Sequence, residues 1–246
     1  MSAAKYVYGV VPATARAPKT FGIGRRRVQT VTDGELAAIV SDVPNGELTA
    51  QREDVMAHSR VLERARNEGA VLPMRFGVVV PDADAVREQL LKPYADELAM
   101  QLQQLDGKAE LHIQAVYDEQ ALMREVVEAH PQIGARSKVI AERPADASYY
   151  ERIELGQLVA EAVERARTID SEVILDALEP LADALEIASP SHEREAARIF
   201  FLVDDARLRE FDAAVDELGR ANEGRLRFKS TGPLPPYSFV SLPAEA

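Results

Sequence analysis

Short runs of β-branched and aromatic residues alternate along this chain with longer stretches patterned at the helical period. Nowhere do about 20 apolar residues follow one another, so no segment reads as a bilayer span. Such a chain must bury strand faces against amphipathic helices, which points to an α+β architecture. Its 246 residues, 46% of them apolar, suffice for two domains with a core in each.

In the first half, Lys5-Tyr6-Val7-Tyr8-Gly9-Val10-Val11 reads as a strand and the Pro- and Gly-containing stretch 12–25 as a loop. Asp33-Gly34 lies between two strand-like runs, and its tolerance of positive φ predicts a hairpin over 26–41, ended by Pro44-Asn45-Gly46. A helix is expected at about 50–68, with Val55, Ser59, Leu62 and Ala65 on one face and Gly69 as its stop. The segment 71–80 is extended, with Pro73 marking an edge or bulge. Val86, Leu90, Tyr94, Leu98, Leu102 and Leu105 follow the period of a long helix that Pro93 should kink or split. Asp106-Gly107 marks the boundary, giving an N-terminal domain over 1–106 and a C-terminal domain over 107–246.

The second half opens with an alternating strand at 110–117 and a helix at about 119–129; residues 131–147 have a loop composition. Ser148-Tyr149-Tyr150-Glu151 has the form of a capping box. It opens a helix whose apolar stripe is Leu155, Leu158, Val159, Ala162, Val163, Ala166 and Ile169. A second helical segment is expected at about 171–187, interrupted at Pro180. A buried strand at 197–203, a helix at 205–221 and a strand at 225–229 follow, and 231–240 closes the chain. The strand–helix–strand pieces at 110–130 and 197–229 are parts of a split βαβ, ferredoxin-like sandwich. Ferredoxin-like elements are expected in each domain, with a helical insertion in the C-terminal one at about 148–188.

Acids outnumber bases by 41 to 29, a formal net charge of −12, which argues against nucleic acid or an anionic membrane as partner. There is no cysteine, which removes disulfides, thiolate metal sites and cysteine nucleophiles and fits a reducing cytoplasm. The N-terminus runs straight into the first strand without a basic segment leading an apolar one, so no signal peptide is expected.

Motifs that carry chemistry are sparse. None of His58, His112, His130 and His192 lies four residues from another, and His192-Glu193-Arg194-Glu195-Ala196 lacks the second histidine of a zinc helix. His58, on a patterned helix face, is expected to make one structural hydrogen bond. Gly22-Ile23-Gly24-Arg25-Arg26-Arg27 resembles a phosphate loop in composition only, because its glycines precede a strand and not a helix. It reads as a loop feeding a charged edge strand. Glu151, Glu154, Glu161 and Glu164 are interleaved with arginines off the apolar stripe, as on a solvated face. No catalytic residue, cofactor site or metal site is assigned.

Four passages together resemble one family. They are Tyr6-Val7-Tyr8-Gly9-Val10-Val11, Val71-Leu72-Pro73-Met74-Arg75-Phe76-Gly77, Tyr150-Glu151-Arg152-Ile153-Glu154-Leu155-Gly156 and Gly232-Pro233-Leu234-Pro235-Pro236-Tyr237-Ser238-Phe239-Val240. In order and across nearly the whole chain, they are similar to the gas vesicle protein F/L family. Leu234 is a departure, standing where the family often has tryptophan. The resemblance implies a cytoplasmic, non-enzymatic accessory protein of gas vesicle assembly. Its implied partners are the small hydrophobic shell subunit and other accessory proteins, or it takes a minor place in the vesicle itself; no cofactor is implied. The stiff segment Leu234, Pro235, Pro236, Tyr237, Phe239 and Val240 is the candidate partner-binding surface. The opposing expectation is that it only closes the protein's own sheet or bridges its domains.

Two other classes compete. A ferredoxin-like pair that senses a small ligand would show a clear thermal shift with a metabolite. An enzyme would need a deep pocket lined by Glu, His or Tyr with perturbed pKa values.

Overall fold

The computed structural model describes residues 3–43, 51–144 and 148–241. Its backbone groups into two compact units, Met1–Leu111 with Gly232–Ala246, and His112–Thr231.

The first unit is built on an antiparallel sheet. Its strands are β1 (Lys5–Pro12), β2 (Gln29–Asp33), β3 (Leu36–Asp42), β4 (Leu72–Pro73) and β5 (Val79–Val80). The order is β2-β3-β1-β4, with β5 also on β1. The Asp33-Gly34 hairpin forms as its composition requires, with Gly34 at φ 55°. In β1 the register shifts between Val7 and Gly9. A β-carbon on Gly9 would lie 2.6 Å from the Leu72 carbonyl, so glycine lets β4 approach at that bulge. Tyr6 through Val11 are all buried, so both faces of β1 are covered.

Helix α1 (Arg52–Arg66) packs on Tyr6, Tyr8, Ala37 and Ile39 through Ala57, Val61, Leu62 and Ala65. Its inward face also takes His58 but leaves Val55 exposed, a rotation from the expected stripe. The cause is polar: the Tyr6 hydroxyl meets the His58 ring and turns it inward. The next helical stretch is split as Pro93 demands. Helix α2 (Ala83–Ala85), capped by Asp82 at 2.9 Å, runs into a π-helical turn over Val86–Leu91, and α3 (Ala95–Leu105) begins beyond the proline. Pro44-Asn45-Gly46 lies outside the described residues.

The second unit contains α4 (Glu119–Ala129), α5 (Pro131–Ala141), α6 (Tyr149–Leu178), β7 (Ala184–Ile187), β8 (Glu195–Asp204) and α7 (Leu208–Ala221), together with most of β6 (Lys108–Tyr117) and of β9 (Leu226–Leu234), whose residues 108–111 and 232–234 belong to the first unit. The sheet order is β7-β8-β6-β9. In chain order it runs strand, helices, strand, strand, helix, strand, which is compatible with a split βαβ sandwich. Phe201 and Phe211 meet edge to face at 5.2 Å between β8 and α7.

Several local expectations give way here. Residues 131–141 are helix, not loop: Pro131 sits at the first helical position, where its missing amide hydrogen is harmless. Gly134 is there for packing, since a β-carbon would meet Val127 of α4 at 2.8 Å. The 171–187 helix stops at Leu178, and Ala184–Ile187 becomes an edge strand with Leu185 opposite Phe201. Ile169 is 61% exposed, and the buried stripe of α6 continues instead through Asp170, Ile174 and Leu178. The capping box does not form. Ser148 Oγ donates to the Pro144 carbonyl and accepts from Arg152, while Glu151 is held by Arg143 at 2.8 Å.

Two buried polar networks pin the second unit. Asp170 on α6 accepts from the Tyr117 hydroxyl at 2.5 Å and from both terminal nitrogens of Arg225 at 2.8 Å, and Arg225 Nε reaches Glu125 on α4 at 2.6 Å. Glu195, fully buried, accepts from the Ser191 amide and hydroxyl, Gln114 and Arg198. Burial alone would raise its carboxyl, but those donors outweigh it and hold the pKa at about 2.

Candidate functional site

The candidate segment lies on the first unit, where two of its six apolar residues, Pro235 and Pro236, are buried. Gly232 (φ 151°) passes so close to Leu111 and the Glu110 carbonyl that a β-carbon would sit 2.5 and 2.8 Å from them. Leu234 ends β9 half-buried, Pro235 and Pro236 are buried, and a short 3-10 turn spans Tyr237–Phe239. The Ser238 amide and hydroxyl donate to the fully buried Glu110 carboxylate at 2.7 and 2.8 Å. Ser241 and Gln101 of α3 exchange two hydrogen bonds at 2.9 and 2.7 Å. Phe239 and Val240 are half-buried, and Tyr237 is 38% exposed. The buried prolines therefore form a rigid floor, and Leu234, Tyr237, Phe239 and Val240 supply the accessible apolar surface.

Beneath Tyr237 is an aromatic cluster centred on His58. The His58 ring lies 5.7 Å from Tyr6, Tyr8 and Phe76 and 6.5 Å from Tyr237. The Gly77 amide donates to Tyr6 Oη at 3.0 Å, so the Tyr6 proton is directed to His58 Nδ1 at 2.9 Å. That leaves the imidazole hydrogen on Nε2, which has no partner at full hydrogen-bond geometry; the Met74 backbone compensates only in part. Burial lowers the His58 pKa to about 4, and burial pushes the Tyr6 phenol well above its usual range. His58 is thus neutral at pH 7 and makes one structural hydrogen bond.

Passages that looked separate in the sequence meet here. Tyr6 and Tyr8 come from the first, Met74, Phe76 and Gly77 from the second, and Tyr237 from the last. Sequence spacing carried no hint that His58 joins them, because it lies in none of these passages. The Gly22-Ile23-Gly24 stretch is explained by the same cluster. The Ile23 amide donates to Tyr8 Oη at 2.8 Å, and a β-carbon on Gly22 would fall 2.0 Å from that oxygen. His112 packs at 4.4 Å against Phe200, and His130 sits between α4 and α5. Among the described residues no group of three or more metal-ligating side chains occurs.

The family profile described as "Gas vesicle synthesis protein GvpL/GvpF" matches residues 4–241. The chain belongs to the GvpL/GvpF gas vesicle family. It is 39% identical over 241 residues to gas vesicle protein F of Streptomyces sp. (strain CB03234), covering 96% of this chain and 98% of that protein. It is 28% identical to gas vesicle protein F of Dolichospermum flosaquae, covering 98% and 99%. The solved structure of GvpF from Anabaena sp. PCC7120 matches with a TM-score of 0.85 at 25% identity, covering 98% of this chain and 100% of that one. The chain is therefore a gas vesicle-associated α+β protein of an accessory family that is not a known enzyme class. No helix among the described residues is long and apolar enough to cross a membrane.

Proposed function

We propose that this chain binds the small hydrophobic shell subunit and supports gas vesicle assembly, or forms a minor vesicle component, working in the cytoplasm by binding and not by turnover. The observation that carries this reading is the full-length match to a gas vesicle synthesis family, residues 4–241. A shell subunit that lines a gas space exposes apolar surface before assembly and would aggregate. An acidic partner of net charge −12 stays dispersed while covering that surface, and about 800 Å² per partner suffices for a specific complex. The contact is assigned to Leu234, Tyr237, Phe239 and Val240 on their floor of Pro235 and Pro236, a surface already ordered before binding.

Co-expression with the shell subunit followed by pull-down tests both claims. Wild type should retain the subunit in the soluble fraction. Tyr237→Ala removes the ring without adding a charge beside Glu110, whose bonds come from Ser238, and should weaken capture about tenfold. Full capture by the folded variant removes the segment from the interface; no capture by folded wild type overturns the function. Truncation after residue 231 strips the Ser238 bonds from Glu110, so it reads out folding of the first unit and not capture.

A further inference from the structure

The first 32 residues hold six cations and no carboxylate, in a chain whose remaining residues set 23 bases against 41 acids. Five of these cations, Arg16, Lys19, Arg25, Arg26 and Arg27, lie on the loop between β1 and β2, and all five are exposed. Among the described residues no carboxylate forms an ion pair with any of them, and Asp54 of α1 meets the turn through the Gly24 amide, at 3.3 Å. The loop is held in one shape. Ile23 is bound to Tyr8, Gly22 exchanges backbone bonds with Arg26 and Arg25, and Arg64 of α1 donates to the Lys19 carbonyl at 2.5 Å. Gly24 and Arg25 both have φ 56°, a conformation that a β-carbon disfavours and that persists only where the surroundings enforce it.

Beside this turn is a groove of about 540 Å³ with apolar walls from Pro18, Phe21 and Val28 and a rim of Lys19, Arg27 and Arg64; no carboxylate lines it. Phe21 is 66% exposed there. Cations that protect the edge strand β2 would sit on β2 itself, yet the one charge of Gln29–Asp33 is the carboxylate of Asp33 at its end.

We propose that this groove docks an extended segment of a partner protein in which carboxylates are interleaved with apolar side chains. Carboxylates match the guanidinium rim in planar pairs, and apolar side chains cover Phe21 and Val28. A nucleic acid or anionic bilayer extends beyond the patch and meets the field of a strongly acidic chain, and its phosphates find nothing to match the apolar wall. This surface is separate from the C-terminal segment, so its failure leaves the shell-binding reading untouched.

The test uses the full chain and a short fluorescent peptide of glutamates interleaved with leucine and phenylalanine. A glutamate-only peptide, duplex DNA and phosphatidylserine vesicles are the controls. The double variant R26E/R27E changes exposed side chains without ion pairs, so its melting point should match wild type. The expected result is saturable, salt-sensitive binding of the mixed peptide, weakened about tenfold or more in R26E/R27E. Phe21→Ala, with charge unchanged, should weaken the mixed peptide toward the glutamate-only one. The proposal is overturned by absence of saturable binding, by equal binding to R26E/R27E, or by tighter binding of DNA or vesicles. It is also overturned if wild type alone forms dimers that R26E/R27E abolishes, because a second copy then fills the groove.

Discussion

Replacing His58 with leucine should change how stability depends on pH more than it changes stability at neutrality. His58 is 3% exposed, and its pKa drops from the ordinary 6.5 to about 4 on folding because burial penalises the imidazolium. Between those values the unfolded chain binds a proton that the folded chain refuses. The site's contribution is therefore intact above pH 6.5 and is lost as pH falls toward 4. At about 1.4 kcal/mol per pH unit, the loss across the window is about 3 kcal/mol. At pH 7.5, His58→Leu strands the Tyr6 hydroxyl, which costs about 1–2 kcal/mol. At pH 4.5 wild type has lost about 2–3 kcal/mol that the variant never had to lose, so the two stability curves should cross. Urea titrations followed by circular dichroism from pH 7.5 to 4.5 at constant ionic strength measure this. All other titrating groups are shared, so they cancel in the difference, and the transition that the substitution moves is that of the first unit. A constant gap between the two proteins across the range would refute a buried, neutral His58.

Gly22→Ala should lower thermal stability by about 2 kcal/mol or more, since its β-carbon would fall 2.0 Å from Tyr8 Oη. Adding Tyr8→Phe should recover part of that loss, which a melting series on the single and double variants would detect. Glu195→Gln should destabilise the second unit by about 2–3 kcal/mol at pH 7, because an amide cannot accept from Ser191, Gln114 and Arg198 together. The wild-type carboxyl is depressed to about 2, so its contribution is present above pH 4.5 and lost as pH falls toward 2; the variant's acid unfolding should lack that component.

Wherever the chain's own period or a single turn decides the outcome, local order was legible from residues alone. The helix at 119–129, the Asp33-Gly34 hairpin and the break at Pro93 are such cases, because backbone sterics and one apolar stripe suffice for each. So was family membership, since four short passages kept their order along the chain. Tertiary packing decided the rest. Ala184–Ile187 continues a helical apolar spacing, yet pairing with β8 satisfies its backbone as an edge strand. Pro131 and Gly134 suggest a loop until Val127 requires the missing side chain. The Tyr6–His58–Phe76–Tyr237 cluster joins residues separated by most of the first unit's sequence, and such contacts leave no periodic trace. The loop of arginines likewise reads as plain basic composition. Only its fixed turn against Tyr8 sets those charges beside an apolar groove, where their spacing acquires chemical meaning.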